Sequence, residues 1–173
     1  MKRRKFLEMA SYGSAAFATS LYFPKSSQEK KLKLGLIGSG WYGMVDAVAA
    51  IKAGGVEVAA VCDVDSEHLA SSASELEKLQ GYRPKTFKYY PELLDMKGLD
   101  AVIIGTIPHW HALQFIAACK KGLDIYCEKP LAYDVIEGLA MVKAAREAGN
   151  IVQVGFQRRQ ALSYQKARDL IDA

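Results

Sequence analysis

The chain is 173 residues long, half of them hydrophobic, with a formal net charge of +4 at pH 7. That length suits one domain with a real core, and a charged fraction of 24% argues against wholesale disorder. Lys2, Arg3, Arg4 and Lys5 against Glu8 account for most of the net charge, so the remainder is close to neutral and no nucleic-acid surface is indicated.

The basic cluster precedes a mildly apolar stretch at 6–23. Glu8, Ser11, Gly13, Ser14, Thr19 and Ser20 interrupt it, which makes it too polar for a stable membrane span. Arg3-Arg4 followed by Phe6 and Leu7, with Ala16-Phe17-Ala18 as a small-x-small cleavage site, resembles a twin-arginine export signal. Residues 1–23 are read as such a leader, with a periplasmic destination. A basic amphipathic first helix on a cytoplasmic protein is the other reading. Residues 24–31, PKSSQEKK, are polar, begin on proline and read as a linker.

From there the chain alternates strands and helices. A strand is expected at 31–38, a helix at 41–53 stopped by Gly54-Gly55, and a strand at 56–63. A helix at 66–79 takes Ser66 or Asp65 as its cap. A short strand at 86–90 precedes a short helix opened by Pro91. The apolar run DAVIIGT predicts a strand at 100–106, followed by a helix at 109–121 closed by Gly122. A strand at 124–128, a helix at 134–148 closed by Gly149, a strand at 151–155 and a last helix from 163 to 171 complete the order. This alternation predicts an α/β fold, a Rossmann-like doubly wound parallel sheet with helices on both faces, over 32–173. Cys62, Cys119 and Cys127 lack metal-ligand spacing and sit in apolar runs, so they read as core thiols rather than a disulfide framework.

The chemistry starts at Gly38-Ser39-Gly40-Trp41-Tyr42-Gly43. A GxGxxG pattern alone is weak, but this one follows a strand, opens a helix and lies within a βαβ unit whose second strand ends in Asp63, 20 residues beyond Gly43. Gly38 permits the tight turn, Gly40 lets backbone approach a pyrophosphate, and Gly43 lets helix and strand pack closely. Trp41 and Tyr42 sit inside this turn, which favours contact with the cofactor over a role in the core. Asp63 can accept hydrogen bonds from the adenosine ribose. Its charge repels a 2′-phosphate, which favours NAD, with NADP as the alternative.

Three further stretches end strands on the same side of such a sheet: Gly105-Thr106-Ile107-Pro108-His109-Trp110-His111, Tyr126-Cys127-Glu128-Lys129-Pro130 and Gly155-Phe156-Gln157-Arg158-Arg159. Together with GLIGSGWYG and VCDVD, they make residues 31–173 similar to the Gfo/Idh/MocA family, the glucose–fructose oxidoreductase and inositol dehydrogenase group. The resemblance implies that Lys129 is the catalytic lysine, hydrogen-bonding the reacting hydroxyl. It implies that Glu128 helps hold the ribose near the nicotinamide and that Pro130 shapes the turn, with a cis peptide in view. Thr106, His109 and His111 are expected to line the cofactor with Trp110 as a wall, and Gln157 and Arg158 to lie near nicotinamide or substrate. Ile107 and Pro108 depart from the family's Thr-Pro-Asp/Asn run. Glu128-Lys129 by itself also reads as a solvated ion pair, and His109 with His111 as metal ligands, but no third ligand accompanies them and no metal is assigned.

The resemblance further implies a second α/β domain that supplies the substrate pocket, an oligomer interface, and an Asp and a His beside the lysine. The chain as given stops before it, so the expectation is the NAD(P)-binding domain of an exported sugar or polyol oxidoreductase, truncated or completed by another chain or a homo-oligomer. The other readings are a non-catalytic dinucleotide-binding or interaction protein, and a relative that cleaves glycosides by transient oxidation on a retained NAD.

Overall fold

The computed structural model describes residues 30–173; the leader expected at 1–23 and most of the linker expected at 24–31 lie outside the described residues. Six parallel strands among them form one sheet: β1 (Leu32–Ile37), β2 (Val56–Cys62), β3 (Lys85–Phe87), β4 (Ala101–Ile104), β5 (Asp124–Glu128) and β6 (Val152–Gly155). Their connections are helical: α1 (Trp41–Ala53), α2 (Ser66–Gln80), α3 (Tyr90–Leu94), α4 (Pro108–Lys120) and α5 (Val135–Ala148), with a 3-10 turn at Gln157–Gln160 before α6 (Leu162–Ile171).

The strand order is β3-β2-β1-β4-β5-β6. The chain winds outward from β1 to β3, then returns to pair β4 with β1 and winds the other way. At that reversal the loops after β1 and β4 leave toward opposite faces and open a crevice at the carboxyl ends of the strands.

Alternate residues of each strand serve opposite faces, and both faces are covered. Leu36, Val58, Val61 and Ile103 pack with Met44 and Ala47 of α1 and Leu76 of α2. Ile37, Val102, Ile104 and Ile125 pack with Phe115 of α4, Leu93 of α3 and Met141 of α5. Full burial of a side chain such as Leu36 or Phe115 contributes roughly 1.5–3 kcal/mol. Cys62, Cys119 and Cys127 are free thiols inside this core, and burial pushes Cys62 and Cys127 up to about 12, which leaves them protonated and inert.

Element ends follow capping chemistry. Asp65 caps α2, accepting from the N–H groups of Glu67 at 2.8 Å and His68 at 3.0 Å. Asp134 caps α5, accepting from Glu137 N–H at 2.8 Å. Gly81 and Gly149 end these helices in the left-handed conformation. Most boundaries shift by a residue or so, and two strands end clearly earlier than expected: β4 at Ile104 rather than 106, and β3 at Phe87 rather than 90. The third strand ends at Phe87 because helix α3 begins at Tyr90 and takes the following residues. α4 begins at Pro108, whose missing N–H costs nothing in a first turn. No helix of the described residues is long and apolar enough to cross a membrane.

Candidate cofactor site

The glycine turn fills the space between β1 and α1. Gly38 has φ +86°, and a Cβ there would lie 2.8 Å from the backbone N of Thr106. A Cβ on Gly43 would lie 2.0 Å from the carbonyl oxygen of Gly38, so helix and turn touch backbone to backbone. Gly40 is different: a Cβ there would meet nothing within 4 Å. Its bareness answers no demand of the protein's own packing and leaves room for a ligand to approach.

Gly40 is also the N-cap of α1, and the first helical bond runs from Met44 N–H to Gly40 O at 3.0 Å. The N–H groups of Trp41, Tyr42 and Gly43 therefore have no intrahelical acceptor. No acidic residue occupies the first turn. The positive end of the helix dipole and three free donors are what a pyrophosphate needs. The Trp41 side chain is 82% exposed, and its ring meets that of Tyr42 edge-on at 5.4 Å.

Asp63 follows β2 at the same end of the sheet. Its Oδ2 accepts from the Ser39 N–H at 2.8 Å and from the Ser39 hydroxyl at 3.2 Å; its Oδ1 accepts from Asp65 N–H at 3.0 Å. The carboxylate thus shapes the glycine turn as well as charging its edge. Ser72 of α2 donates to Ser39 O at 2.9 Å from a buried position. Neither serine is a candidate on sequence pattern alone. Ser39 has one signal, its place inside the motif; Ser72 has none.

The other half of the site gathers around β4 and β5. Thr106 donates to Gln114 Oε1 at 2.7 Å. His109 is exposed on the first turn of α4, tilted against Trp110 at 6.5 Å. His111 corrects an expectation. Its ring is fully buried, with Nδ1 2.9 Å from Pro130 O and Nε2 2.9 Å from Thr106 O. It does not line the crevice; it ties the loop after β4 to the turn after β5 from beneath. The cause is the position of residue 111 on α4, on the face turned toward β5. The Lys129–Pro130 peptide in that turn is cis.

Glu128 is no solvated ion-pair partner either. It is 4% exposed, and its Oε2 accepts from the Lys129 N–H at 3.1 Å while Oε1 accepts from Tyr126 at 3.4 Å. Burial first, then the charges of Asp46 and Glu128, push the Tyr126 phenol above its usual range, so it remains a donor. The exposed Lys129 points its ammonium at the Tyr42 ring, 5.3 Å from the centroid. Gln157, just after β6, donates to the Tyr42 hydroxyl at 2.7 Å. Tyr42 therefore joins the glycine turn to the ends of β5 and β6. Arg158 turns toward α6, donating to the Tyr164 hydroxyl at 3.1 Å.

A cavity of about 630 Å³ lies between α1 and α2, on the helical face. It touches the turn only through Ser39, Gly40 and Trp41, and no strand-end residue of β4 or β5 enters it. Among the described residues no group of three His, Cys, Asp or Glu could hold a metal ion.

Comparison with known proteins agrees with this geometry. Residues 32–156 match the GFO_IDH_MocA model, described as an oxidoreductase family with an NAD-binding Rossmann fold. The chain is 32% identical to inositol 2-dehydrogenase 3 of Saccharopolyspora erythraea over 145 residues, covering 82% of this chain and 41% of that protein. It is 34% identical to a glycosyl hydrolase family 109 protein of Stenotrophomonas maltophilia, covering 74% of this chain and 29% of the relative. The crystal structure of scyllo-inositol dehydrogenase from Lactobacillus casei, with bound NAD(H) and scyllo-inositol, superposes with a TM-score of 0.72 at 25% identity, over 83% of this chain and 41% of that one. The chain thus spans about two fifths of the length of these dehydrogenases. With the glycine turn, the aspartate and the strand-end residues in place, the chain belongs to the Gfo/Idh/MocA oxidoreductase family, whose NAD-binding Rossmann domain it carries.

Proposed function

We propose that this domain holds NAD for the oxidation of a CH–OH group on a sugar or polyol. The observation that carries the reading is the convergence of Gly40, Asp63 and Lys129 on one end of the sheet. The bare Gly40 and the free N–H groups of Trp41, Tyr42 and Gly43 receive the pyrophosphate. Asp63 accepts from the adenosine ribose and discriminates against a 2′-phosphate. Bound NAD supplies the hydride acceptor. Lys129 hydrogen-bonds the substrate hydroxyl and offsets negative charge on its oxygen as the proton leaves. Thr106, His109 and Trp110 border the crevice on the β4 side, and Gln157 on the β6 side.

Near-attack placement of the substrate carbon needs a pocket. We take that pocket to be completed by protein beyond this domain. Val135, Ile136, Leu139 and Val142 lie on one face of α5 and are 77%, 79%, 67% and 43% exposed, an apolar strip of the kind that further protein covers. On the strength of Arg3-Arg4 and the mild apolar stretch behind them, we propose that the protein is exported to the periplasm.

Calorimetric titration of the purified 173-residue chain with NADH and NADPH tests the cofactor reading. NADH binds more tightly than NADPH if it is right, and absence of NADH binding removes it. In the catalytically complete protein, Lys129→Ala lowers kcat by about 10²-fold or more with little change in NADH affinity. Equal losses in both would make Lys129 a cofactor ligand instead. A second reading, glycoside cleavage on a retained NAD, is favoured by the likeness to the glycosyl hydrolase family 109 protein. Release of free sugar without net NADH distinguishes it.

A further inference from the structure

The cofactor reading leaves one carboxyl group of α1 unused. Asp46 lies one helical turn after Tyr42, half-buried, and its Oδ2 is closed off from solvent with no hydrogen-bond partner. Glu128 at the end of β5 is the charged group that faces it, and Tyr126 on β5 is the phenol that does. The rest of the surface under α1 is apolar, built from Leu36 of β1, Val58 and Val61 of β2, Ile103 of β4 and Leu76 of α2. The ammonium of Lys129 sits over the Tyr42 ring.

Glu128 is confined from behind. A Cβ on Gly155 of β6 would lie 2.2 Å from its Oε1, 2.8 Å from its Cδ and 3.0 Å from the Tyr126 hydroxyl. β6 has given up a side chain where the Glu128 carboxylate rests. Two carboxyl groups face each other here in poor contact with water. Ionising both is costly, and a proton held between them turns repulsion into a short-range hydrogen bond. Burial first, then the Glu128 charge, push Asp46 up to about 7.

We propose that Asp46 is a positioning residue that keeps its proton, donates it in a hydrogen bond to the Glu128 carboxylate, and thereby fixes Glu128 and the adjoining Lys129 turn at the nicotinamide side of the crevice. This rests on the NAD reading above for the identity of the ligand, but not for the shared proton. Loss of the proton sets two carboxylates against each other. Glu128, already seated in the space that Gly155 leaves, is then pushed out of its place and carries the Lys129 N–H with it. Cofactor affinity falls as a result.

The experiment uses the 173-residue chain as wild type, Asp46→Asn and Asp46→Ala. Carboxyl ¹³C titration by NMR follows Asp46 directly, and NADH calorimetry follows binding from about pH 6 to about pH 9, the span across which a proton held near neutrality is lost. The expected result is an Asp46 signal that titrates near neutrality and a wild-type NADH affinity that falls about tenfold over that span, as loss of a charge-assisted hydrogen bond implies. Asp46→Asn, whose amide donates at every pH, keeps the affinity level, and Asp46→Ala weakens it throughout. An Asp46 signal in the ordinary aspartate range overturns the proposal, as does an Asp46→Asn variant with the wild-type pH dependence. If the wild type binds no NADH at any pH, the NAD reading fails, and the carboxyl titration alone still decides the shared proton. Should Asp46→Ala fail to fold, the near-isosteric Asp46→Asn carries the comparison.

Discussion

The buried ring of His111 reaches the backbone carbonyl of Pro130 at 2.9 Å and, on its other edge, that of Thr106 at 2.9 Å. The two carbonyls belong to the loops after β5 and β4, the strand ends that flank the crevice. A neutral ring donates to one of them, and a doubly protonated ring to both. His111→Phe keeps a planar aromatic ring, somewhat larger than the imidazole, and removes every donor, so each carbonyl that the ring now serves loses its partner. The cost is about 2–4 kcal/mol, at one to two unsatisfied groups. Urea denaturation measures it, and NADH affinity falls alongside because Lys129 rides on the turn that comes loose. A loss below about 0.5 kcal/mol, the range of surface substitutions, would mean the ring is not a tie.

The glycines of the turn separate folding from binding. Gly43→Ala places a methyl 2.0 Å from Gly38 O, a backbone atom that cannot rotate away. Gly40→Ala meets no atom within 4 Å. Gly43→Ala is expected to lose more than about 3 kcal/mol of stability, the penalty of an unrelieved clash or forced backbone shift. Gly40→Ala is expected to melt within a few degrees of the wild type and to bind NADH at least about tenfold more weakly, since its methyl occupies the approach of the pyrophosphate. Thermal melts and calorimetry on the same two proteins check the contrast; equal stability of the pair would contradict the backbone contact.

This contrast also marks what a sequence can and cannot disclose. Gly38, Gly40, Gly43 and Asp63 are legible because their roles are local: a turn, a helix start and a strand end within one βαβ unit. So are the strands, whose apolar runs declare burial on both faces. His111 is legible as part of a helix near the cofactor loop, but its bond to Pro130 depends on how α4 lies on β5. Asp46 is an ordinary helix residue until β5 brings Glu128 opposite it. The bond from Gln157 to Tyr42 spans 115 positions and no pattern announces it. Periodicity reports which face of an element is covered; it does not report which polar group waits on the covering element.

In the proposed reading Asp63 sets the cofactor preference through charge, and it also braces the turn through Ser39 N–H and Asp65 N–H. Asp63→Ala removes both functions and confounds them. Asp63→Asn retains an acceptor oxygen and removes the charge. The expected outcome is a relative shift toward NADPH of about tenfold, the scale of one charge interaction in partly solvated surroundings, with NADH affinity reduced less. Paired titrations with NADH and NADPH read it directly. An unchanged ratio would assign the discrimination to the neighbouring loop at Val64 and Ser66.

Asp46 makes a separate prediction about stability, with a definite sign. Its carboxyl is raised from 3.8 in the unfolded chain to about 7 in the folded one, by burial first and by Glu128 second. Between those values the folded state holds a proton that the unfolded state has released. A group of this kind contributes stability fully below the unfolded value, and the contribution is lost as pH rises through the folded value. The melting temperature therefore declines from about pH 4 to about pH 7.5 on account of Asp46, opposite in direction to the effect of the hydrogen-bonded cap Asp65, which is lowered and stabilises as pH rises. Asp46→Asn removes the falling component and leaves the rest of the profile in place, so the difference between the two melting curves widens with pH. The magnitude is smaller than a fully buried carboxyl would give, because half-exposed groups are screened by solvent. Differential scanning calorimetry of both proteins across this range settles the sign: a variant whose advantage shrinks with rising pH would show that Asp46 is ionised in the fold and held by a cation.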